Sequence, residues 1–203
     1  MFYEPSKGHG LPHDPFKAIV APRPIGWIST VSAAGTANLA PYSFFNALGT
    51  NPHLVMFSSE GEKDSVAFAR ETGEFVANLV SHDLVEKMNA SSVDAPRGVS
   101  EFGYAGLTAR PSRLVRPPRV GEAHAALECK VTEIHRPKGL DGMSCDRFMV
   151  IGEVVGVHID EETMTDGLFD IVKAGSVARL GYMDYAAVTE TFALRRPRWG
   201  GED

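Results

Sequence analysis

The chain has 203 residues, 43% of them apolar, enough to bury one sizeable core, and its net charge of −6 is spread without long single-sign runs. That balance leaves no electrostatic footprint for nucleic acid or an anionic membrane surface. No apolar run reaches the length of a membrane span, and the opening MFYEPSKGHG lacks the basic-then-apolar order of a signal peptide.

A single domain over residues 1–203, located in the cytoplasm, is the expectation. The two cysteines, Cys129 and Cys145, form no CxxC pair, so a disulfide framework or thiolate metal site is not expected. Both read as reduced thiols used in packing.

Residues 1–24 carry Pro5, Pro12, Pro15, Pro22 and Pro24, which remove amide donors and fix φ too often for a regular ladder, so this stretch reads as an extended leader. IGWISTV, from Ile25, is β-branched and aromatic; Ser32 to Gly35 supply turn chemistry, and ANLAPYSFF resumes an extended pattern. A hairpin is expected there. After Asn51-Pro52, LVMFSS (54–59) reads as a strand.

The grammar then changes. In EKDSVAFARETG, Val66, Ala69 and Arg70 fall at helical spacing, Asp64 is placed to cap the helix and Gly73 to end it. EFVANLV (74–80) is again a strand, and Ser81 can cap a second helix through Ala90. From Ala90 to Pro118 no period is sustained, so surface loops with one short strand near Leu107 are expected. AALECKVTEIHR (125–136) and DRFMVIGEVVGVHID (146–160) read as long strands, the second apolar on both faces and so central and buried on both sides. GLFDIV (167–172) is a last apolar patch before the C-terminal stretch.

Several chemistries find no support. There is no GxGxxG at a strand-to-helix turn, which removes a dinucleotide-binding doubly wound sheet. GVSEFG (98–103) has the wrong spacing for a nucleophile elbow. The seven histidines are scattered with no HExxH, so no metal site is assigned, and His158 reads as a strand-end residue with a satisfied ring.

The informative constellation lies between positions 22 and 65. Ser29, Thr30, Asn38, Ser43, Asn46, Ser58, Ser59 and Ser65 put small hydroxyl and amide groups on the ends of apolar strands, the mixture a pocket for a flat, heteroatom-edged ring requires. Lys63-Asp64-Ser65 places a cation and a hydroxyl where a helix begins, and the free amides of a helix start attract anions. A phosphate monoester suits that spot.

PRPIGWISTVS (22–32), NLAPYSFFN (38–46), FSS (57–59), KDS (63–65) and FVANLV (75–80) follow one another in the order of the flavin reductase-like FMN-binding split-barrel family, which includes flavoredoxins, and the chain resembles that family from about Pro22 to Asp160. Arg179-Leu180-Gly181 followed by Tyr185 resembles its C-terminal signature. The resemblance implies a mainly β fold, a six-stranded Greek-key split β-barrel with a few short peripheral helices. It also implies a homodimer with residues 161–203 at the interface, and one FMN per subunit at or near it.

Carried over block by block, Trp27, Ser29 and Thr30 would lie along the isoalloxazine, and Asn38, Ala40, Pro41 and Ser43 would follow its edge. Ser58 and Ser59 would reach the ring or ribityl chain, Lys63, Asp64 and Ser65 would surround the phosphate, and Arg179 would reach the cofactor from the tail. No catalytic acid or base is implied.

The activity implied is hydride transfer from NADH or NADPH to flavin, with free flavin or a partner oxygenase as a recipient. A flavoredoxin-like carrier with tightly held FMN and a protein redox partner is the alternative. A barrel that has lost flavin and only assembles with other proteins is a third reading. One departure stands out: the family often has a second glycine after RLG, where this chain has Tyr182.

Overall fold

The computed structural model describes residues 1–200. The leader is irregular except for a 3-10 turn at Pro5–Lys7 and a one-turn helix, α1, at Phe16–Ile19. A short strand β1 (Arg23–Pro24) leads into β2 (Gly26–Val31), β3 (Ala37–Tyr42), β4 (Phe45–Thr50) and β5 (His53–Glu60). Helix α2 (Asp64–Thr72) precedes β6 (Glu74–Asn78), and a 3-10 turn runs into α3 (Val85–Ala90).

The stretch to Pro118 holds α4 (Glu101–Tyr104) and β7 (Ala109–Arg110), which pairs with β8 (Arg119–Val120). The long strands β9 (Ala125–His135) and β10 (Arg147–Ile159) follow. Four short strands, β11 (Met164–Thr165), β12 (Leu168–Phe169), β13 (Val177–Arg179) and β14 (Tyr185–Ala187), complete the order.

Seven strands form one antiparallel sheet in the order β3-β2-β6-β9-β10-β5-β4. Its two edge strands, β3 and β4, are consecutive in the chain, with only Ser43 and Phe44 between them. A two-residue link cannot span a flat sheet of that width, so the sheet curls until its edges meet at one corner. Gly26 marks the corner: a Cβ there would stand 2.5 Å from Phe45 Cδ2, so only glycine lets the ring of one edge lie against the backbone beside the other.

The architecture is the mainly β one expected, with short helices around it. Seven ladder strands are counted rather than six because the run from Ala37 to Thr50 bends and serves both edges.

Alternation along the strands sorts the core into two main layers. Ile28, Val55, Phe57, Phe75, Cys129 and Val150 form one cluster with Val66 and Ala69 of α2, so α2 closes one side of the curled sheet. Trp27, Leu39, Val80, Met88, Phe102 and Val120 form the other, where α3 and α4 cover the opposite face of β2 and β3.

Four sequence expectations need correction. Helix α2 begins one residue early: Lys63, extended at φ −74° and ψ 172°, is the N-cap, Asp64 is its first residue, and no side chain caps it. Gly73 does end it, at φ +73°. Ser81 stands at the next helical start but makes no capping bond. Strand β10 is central between β9 and β5, yet its far end is not buried, since Val157 keeps 60% of its surface exposed. Finally, Cys129 is buried in the core but Cys145 is exposed, because it lies in the loop between the long strands.

Candidate functional site

Helix α2 starts directly after the strand end Phe57–Glu60. Its first accepted bonds run from the Val66 and Ala67 amides to the Lys63 carbonyl, so the Asp64 and Ser65 amides begin the helix without an acceptor in it. These amides open onto a cleft of about 400 Å³, lined by Asn38, Ala40, Pro41, Lys63, Asp64 and Ser65 on one side and by Ser91, Ser92, Asp94 and Glu101 on the other. Its size is within the range of small-molecule sites.

Beneath this cleft lies a hydroxyl and amide network. The Asn38 side-chain amide donates to Ser65 Oγ at 2.9 Å and to Thr30 Oγ1 at 3.3 Å. Burial pushes the hydroxyl of Tyr42, which lines the same cleft, above its ordinary value. Ser59 donates its hydroxyl to the Gly61 carbonyl at 3.0 Å, and Thr30 meets the cleft only through Asn38. Trp27 stands in the same relation: fully buried, it donates its indole N–H to Ser91 Oγ at 2.9 Å and so fixes a cleft wall.

A second cleft, of about 410 Å³, adjoins the first, sharing Pro41 and Ser92 with it. It holds Ser43 and Arg179, together with Lys17, Arg23, Tyr182 and Tyr185. The Arg179 guanidinium lies 4.4 Å from the Tyr185 ring centre and donates to the Tyr182 carbonyl. Tyr182 has φ +53°, a left-handed backbone that favours glycine, so the residue departs from the family pattern at a position whose geometry asks for that glycine.

Of the residues singled out from sequence, the structure gathers Asn38, Ala40, Pro41, Lys63, Asp64 and Ser65 in the first cleft and Ser43 and Arg179 in the second. Ser29 and Ser58 are not brought in. The Ser29 hydroxyl donates to the Pro118 carbonyl, and Ser58 lies opposite Met149 on the barrel wall, its amide donating to the Phe44 carbonyl. Both sit on strands whose pleat turns their side chains to a face other than the cleft wall.

Sequence reasoning missed Ser91, Ser92, Asp94 and Glu101, because the aperiodic stretch after Ala90 offers no spacing that marks them. GVSEFG turns out to be the start of α4, with Ser100 at its N-cap and Glu101 in its first turn.

The acids on the cleft lining are held away from the role of repelling an anion. Asp64 is paired with Arg97 at 2.8 Å, burial raises the Glu101 carboxyl above its usual range while its Oε2 accepts the Leu39 amide at 2.9 Å, and Asp94 is exposed at the rim. That leaves Lys63, which has no ionic partner among the described residues, with Ser65 and the uncapped start of α2 as the donors on the cleft lining, a set that fits a phosphate monoester.

A third cavity, about 290 Å³ and lined mostly by apolar residues such as Ile25, Phe45, Leu127 and Val157, offers no comparable set of donors. Among the described residues no group of three or more His, Cys, Asp or Glu could hold a metal ion, and no helix is long and apolar enough to cross a membrane.

The chain is similar to known proteins over most of its length. Residues 20–177 match the sequence model of the flavin reductase like domain. An uncharacterised protein of Halalkalibacterium halodurans is 39% identical, over 88% of this chain and 87% of its own. Nitrilotriacetate monooxygenase component B from Bacillus cereus superposes with a TM-score of 0.86 at 28% identity, covering 96% of this chain and 98% of its own. Flavoredoxin of Desulfovibrio vulgaris superposes with a TM-score of 0.75 at 25% identity, over 85% and 90% of the two chains.

Proposed function

The chain belongs to the flavin reductase-like domain family, and from that premise we propose that it is an FMN-binding oxidoreductase that takes a hydride from NADH or NADPH. The observation that carries this reading is the uncapped start of α2, with Lys63 and Ser65 beside it, at one end of a cleft that continues past Pro41 into a second cleft. In this reading the phosphate rests at α2, Asn38, Ala40 and Pro41 follow the ribityl chain and ring edge, and Ser43 and Arg179 meet the ring end.

When bound, FMN supplies a ring that accepts a hydride and releases electrons singly or in pairs. The protein contributes position. Ser65 is oriented by Asn38, Ser91 by Trp27, and Lys63 balances the phosphate charge, so little reorganisation remains when the ligand enters. Hydride transfer needs no side-chain acid or base, and none is assigned. Arg179 offers a fixed positive charge near the ring end, where a reduced, partly anionic ring gains from it.

A homodimer with the cofactor near its interface, and an oxygenase as recipient, belong to the same proposal. The name of the Bacillus cereus neighbour, a monooxygenase component, favours the second point. The likeness to a flavoredoxin favours the alternative, a carrier that keeps its FMN and exchanges electrons with a protein.

The visible spectrum of the purified protein before and after NADPH tests the main reading. Flavin bands that bleach support it, and a colourless protein that leaves the spectrum of added FMN unshifted refutes it. Stoichiometric flavin without steady-state turnover selects the carrier.

A further inference from the structure

Besides Arg179, the second cleft carries two cations that the flavin reading leaves unused. Lys17 and Arg23 line it together with Arg179, and no carboxylate does. Glu86 lines a separate groove that shares Arg179 with this cleft.

Arg23 and Arg179 stand opposite each other in the β1–β13 pair, so two guanidinium groups are held side by side. Burial and the neighbouring Arg179 charge both disfavour the charged form of Arg23. Arg23 is only 6% exposed, and while its terminal nitrogens bond the carbonyls of Lys17, Val20 and Leu180, its Nε has no partner. Lys17 Nζ has no hydrogen-bonding or ionic partner among the described residues.

Three cations on one cleft with no carboxylate in its lining repel one another, and an anion entering the cleft relieves that repulsion. The arrangement is held in place. Gly181 packs directly on α1, where a Cβ would meet Ala18 at 2.3 Å, so the segment after Arg179 clamps the turn that carries Lys17.

We propose that the second cleft is the binding site for the anionic group, a carboxylate or phosphate, of the molecule that exchanges electrons with the flavin, received by Lys17, Arg23 and Arg179. This rests on the flavin reading above and adds the charge of the substrate. The two sources of such a group are an organic acid with a flat ring and the phosphates of the nicotinamide nucleotide.

The test uses protein loaded with FMN, with loading measured first by flavin fluorescence. Binding is read from the shift of the flavin absorbance for benzoate against benzamide. Hydride donation is read from the rate of flavin bleaching for NADH against uncharged N-benzyl-dihydronicotinamide. The charged member of at least one pair should be favoured about tenfold, the size expected of a charge-assisted bond, with the preference shrinking in salt and in Lys17→Gln.

A preference for benzoate identifies the organic acid, and a preference confined to NADH identifies the nucleotide phosphates. Protein that loads FMN but treats both pairs alike overturns the anion site alone. Protein that takes up no FMN overturns the flavin reading and this proposal together.

Discussion

Asn38 and Ser65, 27 positions apart, meet at 2.9 Å, the side-chain amide of the strand residue donating to the hydroxyl at the start of α2. The bond ties β3 to α2 within one wall of the first cleft and fixes Ser65 in that wall. Removing the Asn38 amide leaves the buried Ser65 and Thr30 hydroxyls short of a donor, worth about 1 kcal/mol. Asn38→Ala should therefore lower FMN affinity by about fivefold to tenfold at a similar small cost in stability. Titration by flavin fluorescence quenching and a urea melt measure the two effects. Unchanged affinity would place Ser65 outside the binding site.

Tyr182 supports a second prediction. A non-glycine residue in the left-handed region costs about 1 kcal/mol relative to glycine, and Tyr182, 52% exposed, has little burial to offset it. Tyr182→Gly should be more stable than Tyr182→Ala by about 1 kcal/mol, because both lose the ring and its contact with His13 but only glycine relieves the backbone. Thermal melts of the two variants side by side check this.

Glu128 gives the pH dependence. It is fully buried, and burial pushes its carboxyl up, but the amides of Arg113 and Leu114 and the His158 ring together outweigh that, leaving the group below its usual value. A carboxyl depressed in the folded chain adds stability above its unfolded value and loses it as the pH falls through the folded one. Stability should decline as the pH drops below about 4.3, the ordinary glutamate value. Glu128→Gln should cost about 3 kcal/mol at neutral pH and flatten the acid limb of the curve. Urea melts from pH 7 to pH 3 show both. An acid limb equal in the two proteins would exclude Glu128 as its source.

The thiols differ in reactivity. Cys129 lies in the core, where burial raises its thiol far above the usual range, and Cys145 is exposed. An aromatic disulfide reagent should titrate one thiol in the native protein and two in denaturant. Cys145→Ala should abolish the native reaction.

Much of this was legible in the sequence, and the limits have physical causes. The hairpin around Ser32–Gly35, the long strands β9 and β10, and the α2 start were readable because alternation, turn residues and helical spacing are local signals. That Lys63, Asp64 and Ser65 stand together at a helix start was readable for the same reason. Glu101 and Ser91 were not, since they reach the cleft only when the aperiodic stretch after Ala90 folds back over β3. Ser29 and Ser58 were assigned to the ring by resemblance, but a strand residue's direction depends on which face of the curled sheet the ligand occupies. The union of β3 and β4 at one corner could not be read from sequence either, because pairing between distant strands leaves no local mark.

The central claim is that α2 and Lys63 grip a phosphate, and the most direct measurement is the affinity of the protein for FMN against riboflavin, in the native chain and in Lys63→Gln. Charged hydrogen bonds to the phosphate should favour FMN by about a hundredfold, and the variant should lose about tenfold of that for FMN while binding riboflavin as before. Equal affinity for the two flavins in the native protein would contradict the account.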